Sequence, residues 1–140
     1  MERKDFIKGI AISGATLGIL QGCQTSTEIA GQKAELKEGL ILHSVYFWLK
    51  DGISSEEEQD FLKFFDMLKS IPEVEHLRIG KPAPTNPREV VDNSFSYHLV
   101  VLFKSMDDIN VYETHPVHTA AVQEYSKYWT RVEVRDSILG

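Results

Sequence analysis

The sequence predicts one small α+β domain with its elements in the order βαββαβ, and three features of the 140 residues predict it. Four runs of β-branched and aromatic residues have strand length, helical periodicity falls between them, and the first two dozen residues have the composition of a targeting segment. At 42% hydrophobic and 26% charged residues, the chain can build a globular core and does not belong with disordered proteins.

Arg3, Lys4 and Lys8 form a basic start, Gly9 to Leu20 carries no charge, and Leu20-Gln21-Gly22-Cys23 closes the run. That order makes residues 1–22 a secretory signal peptide. The apolar run is about half the roughly 20 residues that a membrane-spanning helix needs. The Leu-Gln-Gly-Cys stretch resembles a bacterial lipobox, which implies that Cys23 is diacylated and becomes the new amino terminus. The protein is then expected at the bacterial cell envelope, facing the periplasm or the outer surface and held to the membrane by lipid alone. Residues 23–39 are polar and read as a lipidated terminus and flexible tether. With Cys23 the single cysteine, stability is expected from packing and association rather than from a disulfide. The net charge of −6 becomes more negative once Arg3, Lys4 and Lys8 leave with Glu2 and Asp5, which argues against a nucleic-acid partner.

Residues 40–140 supply the domain. Leu40 to Lys50 includes Val45, Tyr46, Phe47, Trp48 and Leu49 and ends at Asp51-Gly52, a strand closed by a turn. Ser54 or Ser55, with Glu57 or Glu58 three residues on, makes a capping box. Phe61, Phe64, Phe65 and Leu68 then follow the i, i+3, i+4, i+7 pattern of a helix that stops at Ile71-Pro72. Val74 to Ile79 is a second strand. Pro82, Pro84 and Pro87 exclude regular structure over residues 81–94, which leaves a long loop that is either a lid or slack. Phe95 to Phe103 is the third strand, Met106 to Thr114 a helical stretch, Pro116 to Lys127 its continuation after a break, and Trp129 to Ile138 the last strand. The order is the ferredoxin-like one.

The last strand alternates Thr130, Val132 and Val134 against Arg131, Glu133 and Arg135, giving it one wet face. The third does not alternate: Phe95, Tyr97, Leu99, Val101 and Phe103 oppose His98, Val100 and Leu102. In the first, Val45, Phe47 and Leu49 oppose Tyr46 and Trp48. Helices cover one face of a four-stranded sheet, so the second apolar face calls for a partner subunit, and a homodimer is expected.

His43, Ile71-Pro72-Glu73-Val74, Gly80 and above all Tyr112-Glu113-Thr114-His115-Pro116-Val117-His118 resemble the stress-responsive A/B barrel (Dabb) family over about residues 42–138. The resemblance implies a dimeric α+β barrel and places the Tyr-x-x-His-Pro-x-His stretch beside a cavity between helices and sheet. In a polyketide-cyclising member the second histidine is a general base and the tyrosine holds the substrate carbonyl, which implies those catalytic roles for His118 and Tyr112.

The residues allow bland readings beside these. His118 shares a helical face with Ala121, Val122 and Tyr125, and a buried imidazole there either serves as a base or, like His115, caps the helix break. Tyr112 faces the core with Ile109 as packing residue or as catalyst. His43 opens a strand as a polar strand-end residue, and His98 lies on the face assigned to the dimer cavity. His43, His98 and His115 are the candidate ligand-binding residues. The spacing of His115 and His118 does not define a metal site because Pro116 interrupts the helix between them. No cofactor is expected, since the chain lacks a glycine-rich phosphate loop and a Gly-x-Ser-x-Gly elbow. Three functions fit: an envelope protein that binds a small hydrophobic or aromatic molecule, a cofactor-independent lyase, isomerase or cyclase, and a structural stress protein.

Overall fold

A computed structural model describes residues 36–140; the expected signal peptide, Cys23 and most of the expected tether lie outside the described residues. Strand β1 spans Ile41–Leu49, helix α1 Ser55–Lys69, β2 His76–Gly80, β3 Tyr97–Phe103, α2 Met106–Thr114, α3 Pro116–Tyr125 and β4 Trp129–Ile138, with a 3₁₀ turn at Ser126–Tyr128. The order is the predicted βαββαβ with its second helix in two pieces. The strands form one antiparallel sheet in the order β2-β3-β1-β4, the ferredoxin-like topology.

Local chemistry explains the boundaries. Gly52 takes the positive φ of 72° that turns the chain after β1. Ser54 caps α1, accepting from the Glu57 N–H while the Glu57 carboxylate accepts from the Ser54 N–H, and Glu56 to Glu58 favour the positive end of the helix dipole. Ser105 caps α2 in the same way through the Asp108 N–H. Pro116 forces the preceding residue out of the helical region, so His115 sits at ψ 135° and the helix breaks there. The first turn of α3 then accepts Pro116, whose missing N–H would have had no partner anyway.

Register divides the sheet into two unlike faces. On the inner face Ile41, His43, Val45 and Phe47 lie beside Tyr97, Leu99, Val101 and Phe103 and are buried under the helices. Phe61, Phe64, Phe65 and Leu68 of α1 meet them, and the rings of Phe47, Phe61, Phe64, Phe65 and Trp129 pack edge to face at 5.1–6.0 Å. Cross-strand pairing puts Val132, Val134 and Asp136 of β4 on this same inner side, opposite Phe47, Val45 and His43.

The outer face carries Tyr46, Trp48, His98, Val100, Arg131, Glu133 and Arg135. Here the 81–96 loop is neither slack nor a lid over the helix side. Trp48 Nε1 donates to Ser94 Oγ at 2.9 Å, and Asn93 Nδ2 donates to the Ala83 carbonyl at 3.0 Å, so the loop is tied down against the outer face. Leu102, grouped by its alternation with the open outer face, is only 3% exposed. Phe95, grouped by alternation with the inner residues, lies before β3 begins at Tyr97 and packs instead against Tyr46 and His98 of the outer face. Gly39, at the end of the expected tether, already belongs to the domain, since its N–H donates to the Leu139 carbonyl at 2.7 Å. No helix among the described residues is long and apolar enough to cross a membrane.

Candidate functional site

Between the helices and the inner face of the sheet lies a cavity of about 460 Å³. Val45, Phe47, Phe64, Leu68, Leu99 and Trp129 give it hydrocarbon walls, and His43, Tyr112, Glu113 and His118 give it one polar end. The α3–β4 side is open: Val122, Val132 and Val134 line the cavity yet remain 37%, 38% and 51% exposed.

Three elements converge on the polar end. Tyr112 comes from α2, His118 from the first turns of α3 and His43 from β1. The Pro116 break turns α3 so that the His118 ring packs 4.6 Å, centroid to centroid, from the Tyr112 ring. His43 also packs against Tyr112, edge to face at 5.9 Å. Tyr112 is 1% exposed, and burial pushes its hydroxyl well above the ordinary phenol range, so it stays a protonated donor. That hydroxyl has no hydrogen-bond partner among the described residues, and it is not sealed from the cavity either. Burial also lowers the His118 pKa, an effect that a hydrogen bond with the Glu113 backbone partly offsets. The imidazole is therefore neutral at pH 7 and keeps an acceptor nitrogen.

His43 is the one buried polar residue of the described core. Its Nδ1 lies 2.6 Å from Asp136 Oδ1, across the β1–β4 pair that sets the two residues opposite each other. The carboxylate accepts the Nδ1 proton, which leaves Nε2 as the acceptor. Sequence reading missed Asp136. Its signal was present, because Asp136 continues the Thr130, Val132, Val134 alternation onto the inner face.

The structure thus brings together Tyr112, His118 and His43 and leaves two candidates out. His98 projects from the outer face, where it stacks flat on Tyr46 at 4.3 Å; the one-residue offset from Leu99 turns it away from the cavity. Its Nε2 is buried without a partner, and burial lowers its pKa. His115 caps α3, its Nδ1 accepting from the Val117 N–H at 3.1 Å, which stabilises the break instead of lining the cavity. Among the described residues no cluster of three or more histidines, cysteines or carboxylates could hold a metal ion.

The site defines a class: a ferredoxin-like α+β domain whose apolar cavity ends in two imidazoles and a phenol. Residues 41–139 match the family model described as Stress Responsive A/B Barrel Domain, and the chain belongs to that family. Olivetolic acid cyclase of Cannabis sativa is 23% identical over 97 residues, which cover 69% of this chain and 93% of that protein. Among solved structures, a dimeric ferredoxin-like protein of unknown function from Thermobifida fusca superposes with a TM-score of 0.60 at 17% identity, over 76% of this chain and 97% of its own. A hydroxynitrile lyase from Passiflora edulis superposes with a TM-score of 0.63 at 17% identity, over 74% and 96% respectively.

Proposed function

We propose that the domain binds a small apolar molecule bearing a carbonyl oxygen in the cavity between helices and sheet, and catalyses proton transfer on it. Tyr112 donates a hydrogen bond to that oxygen, and His118 accepts a proton from the adjacent carbon. The observation that carries this reading is a buried phenol without a partner, set beside a neutral imidazole at the only polar end of a hydrocarbon-walled cavity. A hydroxyl with a purely packing role would be expected to find an acceptor within the fold. Two relatives, olivetolic acid cyclase and hydroxynitrile lyase, carry the names of enzymes acting on small organic molecules, which supports the same class of ligand.

Acetophenone, a flat aromatic ketone, is the probe, and its binding is followed by NMR titration. Tyr112→Phe is expected to weaken binding by about 0.5–1.5 kcal/mol, the worth of one neutral hydrogen bond. His118→Ala is expected to reduce turnover of a true substrate by roughly 10²–10⁴-fold while sparing affinity. Lowered melting temperatures with unchanged affinity in both variants would contradict the proposal and leave a structural protein.

Two wider features belong to the reading. The domain pairs through its outer face as a homodimer, supported by the half-buried Tyr46, Trp48 and Val100 there and by the dimeric Thermobifida fusca protein. Cys23 anchors it by lipid at the cell envelope, supported by the signal-peptide order of residues 1–22. A Cys23→Ala protein that is processed yet stays in the membrane fraction would refute the anchor.

A further inference from the structure

The cavity holds an imidazole that the reading above leaves idle. His43 is 6% exposed, lines the cavity and, like His118, packs against the Tyr112 ring. Its ring is not free to choose a tautomer. Asp136 Oδ1, 2.6 Å from Nδ1, holds the proton on that nitrogen and leaves Nε2, on a ring that lines the cavity, as the acceptor. The Asp136 side chain is 46% exposed on the edge strand β4, so the carboxylate stays hydrated while the ring it orients stays dry. An imidazole whose Nδ1 proton is held by a carboxylate presents Nε2 as a proton acceptor in a fixed tautomer and orientation. His118 is backed only by a backbone carbonyl, and its burial disfavours the cation.

We propose that His43 is a second catalytic base of this cavity and that Asp136 is its positioning residue. This rests on the proposed acid–base function and deepens it: the cavity carries two imidazoles packed against the phenol, and His43 adds a second proton acceptor to the one that His118 provides. In the step, His43 Nε2 forms a bond to a proton taken from a carbon of the ligand. The C–H electron pair moves toward the oxygen held by Tyr112, and the imidazolium then releases the proton to water.

The probe is 5-nitrobenzisoxazole, a flat apolar molecule with one acidic C–H. Its deprotonation makes a nitrile as the N–O bond breaks and the electron pair leaves on oxygen, and the cyanonitrophenolate product is read by absorbance. With the full-length chain, His43→Ala is expected to lower the protein-catalysed rate by about 10²-fold or more. Asp136→Asn is expected to lower it by about tenfold or more and to displace its pH profile, because an amide can donate to Nδ1 and stabilise the wrong tautomer. Asp136→Glu should recover part of the rate. In parallel, ¹⁵N NMR of the imidazoles should show His43 protonated at Nδ1 alone near neutral pH, and a mixture of tautomers in Asp136→Asn. A wild-type rate in His43→Ala with loss only in His118→Ala would overturn the proposal and leave the proposed function intact. Absence of turnover by the wild type, or a His43 protonated at Nε2, would overturn it too. Acetophenone titration of the same samples reports separately whether the cavity binds ligand at all.

Discussion

The two faces of this sheet carry the same kinds of side chain and use them differently. Each has a histidine packed against a tyrosine: buried His43 with Tyr112 inside, half-buried His98 with Tyr46 outside. The inner histidine has a carboxylate behind one nitrogen and a cavity in front of the other. The outer one lies flat in an aromatic stack with Phe95 beside it and its Nε2 sealed and unpaired. Residue type and aromatic packing are thus shared, and what separates a chemically usable imidazole from a packed one is the partner of one nitrogen and the direction in which the other looks. The inner face owes this to register, which sets Asp136 opposite His43.

The largest difference between the faces should appear when each loses its anchor. Phe61 is fully buried and touches the rings of Phe47, Phe65, Tyr97 and Trp129, so Phe61→Ala is expected to destabilise the domain by about 3–5 kcal/mol in denaturant unfolding. On the outer face, Val100→Asp places a charge where a second copy would cover it. That variant should keep its fold and its cavity but sediment as a monomer at tens of micromolar, because an unpaired buried charge costs several kcal/mol. A Val100→Asp protein that remains dimeric would move the interface elsewhere. If instead it lost acetophenone binding while keeping its melting temperature, the two faces would be coupled and the comparison would break.

Smaller effects sharpen it. Burial lowers the pKa of both His98 and His118, so the unfolded chain binds protons to these rings at a higher pH than the folded one does. Stability attached to them is fully present above the ordinary histidine range and is lost as pH falls through it. Glu58 and Glu75, whose pKa values hydrogen bonds from Tyr97 and Lys104 lower, add losses only around and below their usual 4.5. Thermal melts from pH 7.5 to pH 5.5 should therefore show a falling melting temperature. His98→Gln should flatten part of that fall without changing ligand affinity, and an unchanged slope would mean that the outer histidine carries no such penalty.

How far the sequence reaches differs by feature. Helix α1 was legible because four large apolar side chains at helical spacing follow a capping box, and the structure buries all four. The alternation of β4 showed its charged face at once. What one strand cannot tell is its neighbour's register, and the site depends on it. Asp136 became a partner of His43 only through the β1–β4 pairing across 93 residues of chain. His98 was grouped with the ligand-binding histidines because its neighbours are apolar, whereas an odd offset within β3 puts it on the other side of the sheet. His115 kept its place beside the break but serves the backbone of α3. The proline-rich loop is legible as irregular; the contacts of Trp48 and Asn93 that fix it come from folding.

The central claim is that ligand enters on the helix side of the sheet and not on the outer side. Methyl-resolved NMR of valine- and leucine-labelled protein titrated with acetophenone tests it directly. Val45, Leu68, Leu99, Val132 and Val134 line the cavity, whereas Val100 projects from the opposite face. The account predicts that the five cavity methyl groups shift together along one binding curve, that Val100 stays put, and that Tyr112→Phe weakens the curve without moving its location. Shifts centred on Val100, or none at the five cavity residues at saturating ketone, would contradict it.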